Sequence, residues 1–221
     1  APLISKTWHR ARISFPGWSR VDPLNTNAYH RVEGAAYHAH FRARLEASPR
    51  VRLVHGSVER IDHGPDDSCD ADQIGADVLV NGEVIPARWV FQSCRRPVET
   101  RPGRSALLQH FGGWEIETEH DVFDPQTFTL MDFDLGQVGA TTFRYLLPLT
   151  PRRALIEHTV FSRDAVERES YDVAVQQWID ANVAGPVRVV RREYGAIPMT
   201  DAEFPQQTGT SVFNLGTAGG M

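Results

Sequence analysis

The spacing of hydrophobic and polar positions changes several times along the chain, and each change marks an expected element. From Asn27 to Ala47, Val32, Ala36, Ala39 and Ala43 recur at helical intervals on one face, and Ser48-Pro49 stops the pattern. Val51 to Val54 and Val58 to Ile61 read as short strands, followed by an acidic, polar loop between Gly64 and Gly75. Asp77 to Val80 and Glu83 to Ile85 flank Asn81-Gly82, a pair that accepts the positive φ angles of a two-residue hairpin turn. Trp89-Val90-Phe91 continues as an expected buried strand.

A second region, from about Ala106 to Phe161, is dominated by strands. Phe128 to Phe133, Phe143 to Leu149 and Ala154 to Phe161 are its clearest members, and Thr150-Pro151-Arg152-Arg153 forms a turn-like link between the last two. These segments predict an antiparallel sheet. Tyr171, Val175, Trp178 and Ile179 then mark one face of a helix that ends before Gly185-Pro186. There is no internal repeat and no low-complexity segment.

Composition narrows the class. The chain has 221 residues, 41% hydrophobic and 10% aromatic, enough for a folded core and too apolar for wholesale disorder. Its net charge of −5 and pI near 6.0 leave no basic stripe to neutralise phosphates, so no nucleic-acid partner is expected. Arg95-Arg96 and Arg191-Arg192 read as solvated strand or loop ends. The two cysteines, Cys69 and Cys94, form no CxxC motif, which fits a reduced, cytoplasmic chain. Ala1-Pro2-Leu3-Ile4 lacks the pattern of a signal peptide, and no apolar run reaches the ~18 residues of a membrane span. Any membrane contact is expected to be peripheral.

Three segments carry candidate chemistry. In Leu155-Ile156-Glu157-His158-Thr159, strand alternation sends Leu155, Glu157 and Thr159 to one face and Ile156, His158 and Val160 to the other. Either that strand has one solvated face, or Glu157 is desolvated among apolar neighbours and carries a proton near neutral pH. Tyr194-Gly195-Ala196-Ile197-Pro198-Met199-Thr200-Asp201 leads a strand into a loop that presents Asp201, which either supports a catalytic carboxyl or hydrogen-bonds its own turn. The end of the chain, Asn214-Leu215-Gly216-Thr217-Ala218-Gly219-Gly220-Met221, is an apolar strand turning into a glycine-rich loop whose backbone N–H groups can approach a ligand closely. A loose tail is the alternative.

Taken in order, the motifs resemble a known family. Leu108-Gln109-His110-Phe111-Gly112-Gly113-Trp114-Glu115-Ile116, Phe123-Asp124-Pro125 and Thr129-Leu130-Met131-Asp132-Phe133 are similar to the central region of bacterial lycopene β-cyclases. Leu147-Pro148-Leu149-Thr150-Pro151, Arg153-Ala154-Leu155-Ile156-Glu157, Ile197-Pro198-Met199-Thr200-Asp201 and Gly216-Thr217-Ala218-Gly219-Gly220-Met221 continue it. The resemblance covers most of the chain and is strongest from Phe91 onward.

The resemblance implies a mixed α/β (α+β) flavoprotein fold, glutathione-reductase-like or hydroxylase-like, with an antiparallel-sheet substrate region. Residues 1–105 would be part of the FAD-binding domain, 106–194 the substrate region, and 195–221 a return to the FAD-binding domain. Gly216, Thr217, Ala218, Gly219 and Gly220 would contact FAD, used reduced with NAD(P)H as reductant. Glu157 would be the general acid that cyclises the ψ-ends of lycopene, or a related acyclic carotenoid, to β-ionone rings, with Asp201 as the next candidate. Phe133, Phe143 and Tyr145 would offer cation–π support or plain core. A flavin hydroxylase or oxidoreductase of the same architecture is one alternative, and a fragment that only binds a hydrophobic ligand is another.

The chain departs from the family pattern in two ways. His158 stands where a second acid is common, and no Gly-x-Gly-x-x-Gly phosphate-binding turn occurs. With the chain stopping inside the second flavin motif, the second departure leads to an expected truncation at both ends.

Overall fold

A computed structural model of the protein describes residues 3–63, 75–94, 103, 105–137 and 139–220. Cys69, Arg95-Arg96, Met221 and nearly all of the expected acidic loop lie outside the described residues. The chain divides into two compact units, residues 1–43 with 106–199, and residues 44–105 with 200–221.

The elements of the first half are β1 (Ile4–Trp8), β2 (Arg10–Phe15), β3 (Trp18–Pro23), β4 (Tyr29–Val32), α1 (Gly34–Glu46), β5 (Val58–His63), β6 (Ala76–Val80), β7 (Glu83–Ala87) and β8 (Val90–Gln92). The second half holds β9 (Ala106–Thr118), β10 (Thr127–Asp132), β11 (Thr141–Thr150), β12 (Arg153–Ser162), α2 (Arg168–Asn182), β13 (Val187–Thr200), β14 (Gln207–Thr208) and β15 (Val212–Asn214).

The first unit is built on a seven-stranded sheet in the order β13-β9-β12-β11-β10-β2-β3. Its centre is antiparallel, as the alternating apolar pattern predicts. β12 pairs with β9 from Arg153↔Glu117 to Ser162↔Leu108 without a break, and with β11 on its other side. The β2–β10 pairing is parallel. Even-numbered residues of β9 and β12 face α2, where Trp114, Ile116, Ala154 and Ile156 pack against Val175, Ile179 and Val183. Tyr171, Val175 and Ile179 are the buried stripe of α2, as their spacing predicts.

The opposite face is partly covered by the β1–β4 ribbon. Trp8 is fully buried and donates its indole N–H to the Pro148 carbonyl at 2.8 Å, while Tyr29 stacks on Phe128 with ring centroids 4.4 Å apart. Here the sequence expectation of one helix from Asn27 to Ala47 is corrected. Tyr29–Val32 is strand, because Ile4 to Trp8 offers it a pairing partner, and the helix begins only at Gly34 and buries none of its residues. Cross-strand pairing overrides a weak helical period.

The second unit holds the antiparallel meander β5-β6-β7 and a three-stranded sheet ordered β14-β15-β8. Asn81 and Gly82 have φ of 51° and 78°, the left-handed pair that a two-residue hairpin needs. Two expectations fail in this unit. No strand forms at Val51 to Val54, and Trp89-Val90-Phe91 is not a buried strand: β8 is an edge strand that leaves Phe91 65% exposed.

Ile156 is fully buried between Trp114 and Leu146 in register and against α2. Ile156→Ala is expected to lower stability by about 2–5 kcal/mol through lost transfer energy and the cavity left behind. Urea denaturation checks this, and a midpoint equal to the parent's would contradict the packing described.

Candidate active site

Odd-numbered residues of β9, β11 and β12 form the face opposite α2, and Glu157 lies near its centre. In register it sits between Gly113 of β9 and Tyr145 of β11. A Cβ at Gly113 would come 3.2 Å from the Glu157 Cβ and the Ile156 carbonyl oxygen, so the glycine leaves room beside Glu157. Glu157 opens into a cavity of about 620 Å³ walled by Tyr145, Leu147 and Leu155, and also lined by residues 29 and 31–35 and by Arg191 and Glu193 of β13.

Burial pushes the Glu157 carboxyl up to about 7, and the Glu193 charge pushes the same way. The Thr159 hydroxyl, donating at 3.2 Å, opposes the rise only in part. Glu157 therefore holds a proton over much of the neutral range, as a general acid must. Tyr145 is also raised, first by burial and then by the Glu157 and Tyr29 charges, so its phenol stays neutral.

Glu115, two residues along β9 from Gly113, has the opposite character. It is 1% exposed, yet it accepts from Arg153 at 2.5 Å, Arg191 at 2.7 Å and Arg31 at 3.4 Å. Burial alone would raise its pKa, but the bonds from Arg191 and Arg153 prevail and hold it below the usual carboxylate range. This cluster was not foreseen. Arg191 and Arg192 are about half exposed, as expected, but lie inside β13 rather than at an end: Arg191 bonds Glu115 on one face, and Arg192 lies 4.2 Å from the Trp114 ring centre on the other. Strand alternation separates them, which a charge count cannot reveal.

His158 points to the α2 side. It lines a second cavity of about 490 Å³ with Arg144, Asp132 and Trp178, where Arg144 pairs with Asp132 at 3.0 Å. Burial, then the Arg144 and His110 charges, push His158 down to about 4, so it is neutral. A carboxylate at this position would face Arg144 rather than Glu157. Of the candidate aromatics, Tyr145 lines the Glu157 cavity, while Phe143 is buried between Tyr145 and Phe133.

The remaining candidates fall in the second unit. Asp201 accepts from the Ser105 backbone N–H at 2.8 Å, and the local turn is made instead by Thr200, whose hydroxyl accepts from the Ala202 N–H. Gly216–Gly219 is a 3-10 turn after β15, closed by the Gly220 N–H onto the Gly216 and Thr217 carbonyls. Gly220 has φ of 83°, and a Cβ at Gly219 would come 2.6 Å from the Asn214 carbonyl oxygen, so both need glycine. A Cβ on Gly216 would meet nothing within 4 Å. Gly216 to Gly220 are the residues that could hold a dinucleotide cofactor through their backbone. Among the described residues no group of His, Cys, Asp and Glu is placed to hold a metal.

Comparison with solved structures defines the class. A geranylgeranyl bacteriochlorophyll reductase-like protein from Thermoplasma acidophilum aligns with a TM-score of 0.65 at 14% identity, over 98% of this chain and 56% of that one. A flavin-dependent brominase aligns with a TM-score of 0.58 at 11% identity, over 97% and 56%. The fold is thus FAD-binding-like, mixed α and β and mostly sheet.

The sequence then gives the family. Residues 1–221 match the lycopene cyclase protein family, and the chain belongs to it. It is 39% identical to a lycopene beta-cyclase of Paracoccus sp. (strain N81106 / MBIC 01143) over 145 residues, 57% of this chain and 36% of the relative. With the lycopene beta-cyclase of Pantoea ananas it shares 31% identity over 130 residues, 55% of this chain and 31% of the relative. The matched part is therefore about a third of the length of these curated relatives.

The raised Glu157 carboxyl has a consequence for stability. Because its folded pKa of about 7 lies above the ordinary 4.5, its contribution is fully present below pH 4.5 and is lost as the pH rises to 7. Glu157→Gln removes that loss, so the variant should gain on the parent between pH 4.5 and 7 by up to about 3 kcal/mol. Denaturant titrations of both proteins at pH 4.5 and 8 measure it. A stability difference independent of pH would rule out the raised carboxyl.

Proposed function

We propose that this protein is a lycopene β-cyclase that closes the ψ-ends of lycopene, or a close acyclic relative, into β-ionone rings without net oxidation. The observation that carries this reading is a carboxyl, Glu157, set in a cavity walled by Tyr145, Leu147 and Leu155, where burial raises it to about 7. Family membership supports it, as do the names of the two curated relatives.

Glu157 donates its proton to the terminal double bond of the polyene, producing a tertiary cation. The internal double bond attacks that centre, the ring closes, and loss of a neighbouring proton forms the ring alkene. Tyr145, Leu147 and Leu155 give the cavity an apolar wall, which offers the cation no nucleophile. Tyr145 presents a ring to it, and such contacts contribute about 2 kcal/mol when desolvated. Gly216 to Gly220 would hold FAD, which when bound and reduced by NAD(P)H would supply negative charge. The substrate is a hydrocarbon delivered from lipid, and no helix among the described residues is long and apolar enough to cross a membrane. Peripheral membrane contact is part of the proposal.

Expressed in lycopene-accumulating cells, Glu157→Gln is expected to reduce cyclised carotenoid formation about 10²–10⁴-fold, roughly 3–5 kcal/mol of barrier. His158→Asp places its carboxylate on the α2 side and should stay within about tenfold of the parent, about 1.4 kcal/mol. Product chromatography with flavin content measured in parallel decides, and near-parental cyclisation by Glu157→Gln would refute the assigned donor. Product mass separates this reading from a hydroxylase, because cyclisation leaves it unchanged.

A further inference from the structure

A cyclisation that begins with proton donation must end with proton removal, and the family motif leaves the second group unassigned in this chain because residue 158 is a histidine facing away. The Glu157 cavity nevertheless contains another carboxyl, Glu193 of β13. β13 borders β9 in the sheet. Arg191 bonds Glu115, and the Phe111 ring lies against Gly195 at the position a side chain would take. Glu193 lies midway between Arg191 and Gly195, so it comes level with Gly113, midway between Glu115 and Phe111. Glu193, Gly113, Glu157 and Tyr145 thus form one row across four strands.

Within that row the two carboxyl-bearing strands are separated by a strand whose residue has no side chain. Adjacent strands are about 4.8 Å apart, so the Glu157 and Glu193 backbones lie about 10 Å apart, with the bare Gly113 backbone as the floor between them.

We propose that Glu193 is the second acid–base residue of the cyclisation, accepting the proton that Glu157 does not take back. The inference rests on the cyclase reading above. Glu157 gives its O–H proton to the terminal alkene carbon, the internal alkene's electron pair closes the ring bond, and the C–H beside the new cation transfers its proton to the Glu193 carboxylate. The electrons of that C–H bond become the ring double bond. Between turnovers the proton returns from Glu193 to Glu157, so substrate and product are isomers and no other reactant is consumed.

The surroundings of the two groups suit the division of labour. Arg191 pairs with Glu193 at 2.8 Å, whereas among the described residues Glu157 has no ion pair and burial raises its carboxyl to about 7. Two acids whose environments differ in this way take the acid and base roles respectively. The charged groups facing the pair are Arg31 and Arg191, with Glu33 at the cavity edge, and Arg31 and Arg191 are both engaged by Glu115.

The test uses the full protein with acyclic carotenoid and reductant in deuterated water. Glu193→Gln is expected to cut ring formation about 10²–10⁴-fold. Glu157 still protonates the alkene in this variant, and the cation then reverts, so recovered acyclic substrate should carry deuterium. Glu157→Gln should lose ring formation without labelling the substrate. Glu193→Asp keeps the carboxylate and should restore most of the activity; the Glu193 side chain is 29% exposed, and losing its pair with half-exposed Arg191 should cost little folding stability. Ring formation by Glu193→Gln within about tenfold of the parent would overturn the proposal. So would a loss without deuterium in recovered substrate, or a Glu193→Asp variant that folds normally but is as inactive as Glu193→Gln. A parental protein that forms no ring would overturn the cyclase reading itself, and this inference with it.

Discussion

The pairing of β12 with β9 governs the rest of the first unit. Ten consecutive residues keep one register, and side chains alternate between faces with a period of two, so each residue's face is set by that register. Ile156 reaches the core under α2, Glu157 reaches the cavity, and His158 reaches Arg144. A slip of one residue would bury Glu157 against the helix and turn Ile156 toward the cavity. The large apolar residues on the α2 face, Trp114, Ile116 and Ile156 above all, oppose that slip.

The same face of the sheet holds two carboxyls in opposite states. Glu115 is the more deeply buried, yet three guanidinium groups keep it ionised. Among the described residues Glu157 accepts only from the Thr159 hydroxyl, and burial raises its carboxyl to about 7. Local charge, rather than depth, decides which acid carries a proton, because a paired ion recovers the solvation it loses and an unpaired one does not. The arginine cluster also ties β4, β12 and β13 to β9, so the groups that hold Glu115 ionised also frame the cavity.

The paired glycines of β9 have separate duties. A Cβ on Gly112 would lie 2.5 Å from the Tyr171 Cβ, so this glycine lets α2 approach the sheet. Beside it, His110 is fully buried between the Ser162 hydroxyl at 2.7 Å and the Tyr171 hydroxyl at 2.6 Å. Gly113 serves the other face, where it leaves space next to Glu157. The two glycines thus give close packing on one side of the sheet and open space on the other.

Much of this was legible in the sequence. Alternation in β11 and β12, the stripe of α2, the Asn81-Gly82 hairpin and the glycine-rich turn after β15 are local patterns, set by side-chain period and backbone sterics within a few residues. The assignment of Glu157 and His158 to opposite faces followed from that same period. Tertiary structure alone decided the partners. That Tyr29 to Val32 pairs with β1, that Arg31, Arg153 and Arg191 converge on Glu115, and that Glu193 comes level with Glu157 across Gly113 all depend on which strands lie side by side. Strand order joins residues as far as 122 positions apart, as Val90 with Val212, and the energy that selects it comes from packing and charge between elements, which no local window of sequence contains.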